Sequence, residues 1–277
     1  MNGKKIVRND GRTPDQLRPV SFSRDIYEYA AGSYLFEMGK TKILCAVSMQ
    51  TGVPQFLRGK GAGWLTAEYA LLPTSTLTRT QRESTLNKRD GRAIEIARFI
   101  GRCFRSIVDL SVIGERTITI DCDVLQADGG TRTAAITGSF MALMLAQERW
   151  LKSRIISKPI IIEKMVAISV GVVDQHVFLD LNYEEDSAAQ ADFNFVITDS
   201  NKIIEMQGGA EKSSLSWETF EQVRTFAEKG AQELIAFSLQ SLDAPIKQNS
   251  KQSDSALVGQ SEKVPLFSLK NRFQSSQ

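Results

Sequence analysis

Polar and apolar positions along this chain follow two rhythms, and the switches between them mark its elements. From Thr117 to Leu125, Ile118, Ile120, Cys122 and Val124 fall on one side, while Thr117, Thr119, Asp121 and Asp123 fall on the other. That is the period of a half-buried strand. The stretch from Ala134 to Trp150, rich in Ala, Met and Leu, predicts a helix. Earlier, strands are predicted over 33–38 and 42–49 around a Gly39-Lys40-Thr41 turn. The glycine-rich stretch 59–63 and the apolar-poor stretch 77–89 read as loops. A helix is predicted over 92–110, with Ile94, Ala97, Ile100, Phe104, Ile107 and Val108 on one face.

The second half repeats this style. One hairpin is predicted from 165–173 and 177–182, another from 193–198 and 202–207. A long helix follows over 217–242, turning Phe220, Val223, Phe226 or Ala227, Leu234 and Ile235 inward. Strands followed by a helix in each half predict an α/β fold of the α+β two-layer kind, loosely duplicated. Residues 1–243 are expected to form the folded domain, and the Ser-, Gln- and Lys-rich residues 244–277 a polar, mobile tail.

Composition narrows the class. With 277 residues, 42% hydrophobic and 24% charged, the chain can bury a sizeable core as a soluble protein. No apolar run reaches the ~18 residues that span a bilayer, and Met1 to Lys5 leads into polar sequence without a signal-peptide core. The three cysteines, Cys45, Cys103 and Cys122, sit far apart in apolar patterns and read as buried thiols. A cytoplasmic setting is expected. The single His176 excludes a His-rich metal site and speaks against a Ser-His-Asp triad.

Net charge is only +2, yet between Arg79 and Arg105 eight basic residues face three acidic ones. Arg98, Arg102 and Arg105 recur there at helical spacing. Such a zone fits an anionic partner at one face, or a solvated helix face.

Two segments carry candidate chemistry. Asp128-Gly129-Gly130-Thr131-Arg132-Thr133 joins the strand to the helix, and the first N–H groups of a helix have no internal partner. Those groups, the helix dipole and Arg132 favour a bound anion, with phosphate the obvious candidate. An ordinary turn with a solvated Arg remains open. The second segment is the acidic set Asp180, Glu184, Glu185, Asp186 and Asp192. Asp186 follows one strand and Asp192 stands at the start of the next, so a loop can bring both to one sheet edge. A carboxylate pair of that kind suits Mg²⁺, or lets one member act as general acid. The alternative is a solvated acidic turn.

Taken together, these segments resemble the ribonuclease PH family of phosphate-dependent 3′ exoribonucleases. The resemblance rests on Arg8-Asn9-Asp10-Gly11-Arg12, Gly63-Trp64-Leu65-Thr66-Ala67-Glu68-Tyr69, the run from Asp121 to Thr133, Glu185-Asp186-Ser187-Ala188-Ala189 and Glu205-Met206-Gln207-Gly208. It covers residues from about 8 to 242. It implies a ribosomal-protein-S5-domain-2-like fold, an orthophosphate site at Arg92, Gly130, Thr131 and Arg132, and catalytic acids Asp186 and Asp192 holding Mg²⁺. It further implies RNA contacts from Arg79, Arg82, Lys88 and Arg89, tRNA precursors as substrate (with rRNA as a further one), and a homohexamer built as a trimer of dimers. Inorganic phosphate would be the co-substrate and nucleoside diphosphates the products, with nucleotide addition as the reverse reaction. Asp90 stands where the family commonly has Gly, and Asn194 matches this family where polynucleotide phosphorylases carry Lys. The competing expectations are a catalytically silent RNA-binding ring subunit of exosome type and a metal-dependent hydrolase.

Overall fold

The computed structural model describes residues 8–82, 85, 90–210, 212 and 214–243. The expected tail over 244–277, and Lys88 and Arg89, lie outside the described residues.

Two sheets organise the chain. The first contains β1 (Val20–Arg24), β2 (Gly32–Met38), β3 (Thr41–Thr51), β4 (Trp64–Leu71) and β5 (Arg116–Gln126), in the order β1-β2-β3-β5-β4. Its neighbours run antiparallel except β4 and β5, whose parallel pairing is made through helix α1 (Gly91–Ile107). A parallel neighbour cannot be joined by a tight turn, and the connecting helix provides the crossover. The second sheet, all antiparallel, has the order β7-β6-β8-β9, from β6 (Met165–Val173), β7 (His176–Leu179), β8 (Ala191–Thr198) and β9 (Ile203–Ala210).

Helix α2 (Thr131–Lys152) packs on β2 and β3 of the first sheet and on β6 of the second. That two-sided burial explains why its sequence is apolar nearly all round instead of amphipathic. Helix α4 (Trp217–Asp243) covers β6 and β7 from the other side. Each half is thus a sheet with a helix on it, and stacking the halves gives the layer order sheet, helix, sheet, helix. β6 is buried at every position, because α2 lies against one face and α4 against the other. Its unbroken apolar run follows from this.

The structure departs from the sequence pattern in three places. The inward face of α1 keeps Ile100, Phe104 and Ile107 of the predicted stripe but widens to include Ala93, Ile96, Phe99 and Cys103, with Ile94 and Ala97 only half-buried. The helix packs mainly on β4, with α2 and the edge strand β9 also bordering it, so more than one stripe is covered. The helix also ends at Ile107, because Val108 turns extended and bridges to Ile161. Finally, β7 stops at Leu179: Asp180 adopts φ +54°, and Asn182 opens a short helix, α3 (Tyr183–Ala188), with a reciprocal capping box to Glu185. Asp186 therefore stands on a helix, not on a loop.

Candidate active site

The turn into α2 has the geometry an anion site needs. Gly129 and Gly130 both have positive φ, +73° and +62°, which glycine adopts without strain. A Cβ on Gly129 would lie 2.5 Å from the Leu181 carbonyl, so a larger residue would push the turn off β7 and α3. With Gly130 as N-cap and no side-chain cap, the first N–H groups of α2 keep their unpaired capacity. The Thr41 hydroxyl braces the back of the turn, donating to Gly129 O at 2.8 Å and accepting from the Asp128 N–H.

Side chains around this opening are individually fixed. The Tyr69 hydroxyl donates to Thr131 Oγ1 at 2.9 Å, which leaves the Thr131 proton free for an anion. Burial raises the Tyr69 hydroxyl to about 12, against the pull of Arg92 and Arg132, so it stays a donor. Arg132 donates from Nη1 to Gln207 Oε1 at 2.9 Å and lies 3.7 Å from Glu95. Arg92 stands exposed in the first turn of α1, where the Asp90 carboxylate accepts its backbone N–H. The residue that departs from the family pattern, Asp90, is thus the N-cap that starts this helix.

The two carboxylates meet the same opening. On the face of the second sheet turned to α2, cross-strand register puts Gly171, Asp192 and Gly209 in one row, and Ser169, Asn194 and Gln207 in the next. On the Gly209 side of Asp192 the space is open, since a Cβ there would meet nothing within 4 Å, whereas on the Gly171 side the Leu181 side chain packs 2.4 Å from where a Cβ would stand. Asp186 presents an open surface, but the protein crowds its carboxyl. Partial burial, and then the charge of Asp192, push it above the ordinary carboxylate range, against Arg92, Arg132 and Arg18. Three guanidinium groups and the Asp192 carboxylate thus act on the Asp186 carboxyl.

Among the described residues no group of three or more His, Cys, Asp or Glu could hold a metal by itself. The Asp186–Asp192 pair nevertheless fits Mg²⁺, which takes one or two carboxylates together with substrate phosphate and water. Burial first, and the charge of Asp192 second, hold the Asp186 carboxyl high, and a bound cation would offset the second of these.

The rest of the acidic set has a different task. Asp180 and Glu185, 1% and 5% exposed, are buried against Arg8, Arg12 and Arg18. Sequence patterning gave no sign of these partners, although Arg8 and Arg12 lie in a segment that carries the family resemblance. Tyr69 and Gln207 were likewise inside such segments without a role assigned to them. Arg79 and Arg82 are exposed. The basic stripe on α1 divides: Arg102 pairs with Glu205 at 2.6 Å and the Arg105 guanidinium stacks on Trp64, while Arg98 is exposed.

Residues 16–148 match the 3′ exoribonuclease family, domain 1, and residues 165–230 match its domain 2. The chain is 50% identical to ribonuclease PH of Bacillus subtilis over 230 residues, 83% of this chain and 94% of that protein. Against ribonuclease PH of Tropheryma whipplei the identity is 50% over 239 residues, 86% of this chain and 96% of that one. Among solved structures it is similar in fold to an Archaeoglobus fulgidus exosome with RNA bound to the active site, with a TM-score of 0.71 at 23% identity, covering 83% of this chain and 92% of that one. An archaeal exosome core gives a TM-score of 0.69 at 22% identity, covering 84% and 91%. Fold and family matches define the class, a 3′ exoribonuclease. Within that class the chain belongs to the ribonuclease PH family.

Proposed function

We propose that this chain shortens RNA from its 3′ end by phosphorolysis, with orthophosphate held at the opening of α2 as the attacking group. The observation that carries this reading is the uncapped, glycine-started N-terminus of α2, with the Thr131 hydroxyl and Arg132 in its first turn and the Asp186 carboxyl within the fields of Arg92 and Arg132. Free backbone N–H groups, the Thr131 hydroxyl and the planar forks of Arg92 and Arg132 bind the anion and aim one oxygen at the terminal phosphodiester. The new P–O bond forms as the bond from phosphorus to the 3′ oxygen breaks. A nucleoside diphosphate leaves, and the RNA ends one nucleotide earlier in a 3′ hydroxyl. Because the phosphoanhydride formed is close in energy to the phosphodiester broken, the reverse addition is also open.

Asp186 and Asp192 would hold Mg²⁺, which when bound supplies positive charge against the charge built up on the phosphoryl oxygens. The departing 3′ oxygen needs a proton, which one of these two carboxyls, or a water held beside them, would supply. Arg79, Arg82, Lys88 and Arg89 would take the RNA backbone, and precursor tRNA fits as a substrate with a 3′ extension to trim. A closed homohexamer is consistent with the exposed Tyr29, Leu77 and Trp217, large apolar side chains that a subunit contact would cover. No helix among the described residues is long and apolar enough to cross a membrane, and three free buried thiols agree with a cytoplasmic setting.

The deciding experiment incubates the protein with 3′-extended RNA and Mg²⁺, with and without phosphate. Nucleoside diphosphates appearing only with phosphate are expected. Equal shortening without phosphate, or monophosphate products, would overturn the reading. RNA affinity should also fall with salt, with a log–log slope of about −0.7 for each phosphate neutralised on a single strand. A flat dependence measured by filter binding would remove the basic loop from the interface.

A further inference from the structure

We infer that Ser169 is a positioning residue of the phosphate site, with a hydroxyl that finds its hydrogen-bond partner only when the anion is bound. This rests on the phosphate reading above and adds a residue that neither sequence pattern nor family resemblance singled out. In the strand Met-Val-Ala-Ile-Ser-Val-Gly-Val-Val (β6), buried at every position, Ser169 is the only polar side chain. It is 6% exposed, and among the described residues its Oγ has no hydrogen-bond partner. Leaving a buried hydroxyl unpaired carries a real stability cost, and Ala or Val at this position would avoid it while suiting the strand. A cost of that kind is expected where function requires the group.

Its location points to the function. Ser169 lies opposite Asn194 on β8, which lies opposite Gln207 on β9, the residue that receives Arg132. A Cβ placed on Gly130 would come within 3.6 Å of Ser169 Oγ, 3.3 Å of Thr133 Oγ1 and 3.2 Å of Arg18 Nη2. Three polar groups thus crowd the underside of the residue that opens α2. Arg18 and Thr133 already have partners: Arg18 Nη2 binds Asp180, and the Thr133 hydroxyl donates to Gly130 O at 2.8 Å. Ser169 alone of the three keeps a hydrogen bond in reserve. When orthophosphate draws on the N–H groups of the turn, Ser169 pairs with the anion directly or through one water, and so sets the turn's position.

The test is Ser169→Ala in the full-length protein, read by steady-state kinetics and by melting with and without phosphate. Removing one hydrogen bond to the anion should raise KM for phosphate about five- to tenfold, leave kcat within about twofold and leave KM for RNA unchanged. The rise in Tm caused by phosphate should shrink. Ser169→Cys, close in shape but a weak donor, should fall between wild type and Ala, and it supplies the same readout if the Ala variant does not fold. A variant that melts higher than wild type with an unchanged KM for phosphate would make Ser169 a mere packing defect and overturn the inference. If wild type itself needs no phosphate, the parent reading fails instead, so the two failures are distinguishable.

Discussion

Asp192→Asn should lower kcat by about 1000-fold or more while leaving the melting temperature unreduced, as expected for loss of a charge used at the transition state. Asn keeps the size of the side chain and most of its hydrogen bonding but removes the negative charge. Position 192 is open on the Gly209 side, and Asn matches Asp in size, so the change meets little steric resistance. Two consequences follow from the charge alone. With Asp192 neutral, part of the push on the Asp186 carboxyl disappears, so Asp186 should titrate closer to an ordinary carboxylate. Orthophosphate should bind as well as before or better, because one repelling charge has gone. Single-turnover phosphorolysis and phosphate-dependent melting measure the two sides separately. Activity within tenfold of wild type would remove Asp192 from the chemistry. Loss of phosphate binding as well would make the residue part of the anion site.

Local patterns in the sequence were read well where one surface decides the residue choice. The alternation over 117–125 became the buried Ile118, Ile120, Cys122 and Val124 of β5, because that strand rests one face on a helix layer. The covered face of α1 includes the predicted Ile100, Phe104 and Ile107 but is wider, since strands from both sheets border it and a single stripe does not describe its burial. Helix α3 had a visible signature, Asn182 followed three residues later by Glu185, yet six residues have too little hydrophobic period to stand out. The acidic set could not be sorted from sequence at all. Asp180 and Glu185 are separated from Arg18 and Arg8 by 162 and 177 positions, and only the fold brings them together. The same holds for the candidate site: each segment by itself allows a bland alternative, and only the fold brings residues of α1, α2, α3 and β8 within reach of one another.

Removing the Asp180 carboxylate should cost more stability than any other single charge in the described fold. Asp180 Oδ2 accepts from the backbone N–H and Nε of Arg18 at 2.8 and 2.9 Å, and Oδ1 accepts from Nη2 at 2.6 Å. Arg8 and Arg12 hold the Asp180 carbonyl, while Glu185 takes two bonds from Arg8. Burial alone would weaken the Arg18 cation, but Asp180 more than restores it, and its pKa ends above the ordinary value. In Asp180→Ala that cation remains buried without its main counter-charge. Breaking such a pair costs about 3–5 kcal/mol, which for a domain of this size lowers Tm by about 6–20 °C. The exposed pair Lys152–Glu148 makes the control, since its loss should cost less than about 1 kcal/mol. The damage should also reach the phosphate site. Arg18 donates to the Asp128 carbonyl at 2.5 Å and lies under Gly130, so a displaced Arg18 loosens the turn that opens α2. Phosphate should therefore rescue part of the lost stability in Asp180→Ala, because the anion binds only the ordered turn. A melting shift under 2 °C would mean that water replaces the carboxylate freely, and that Arg8, Arg12 and Arg18 do not form the clamp behind the site.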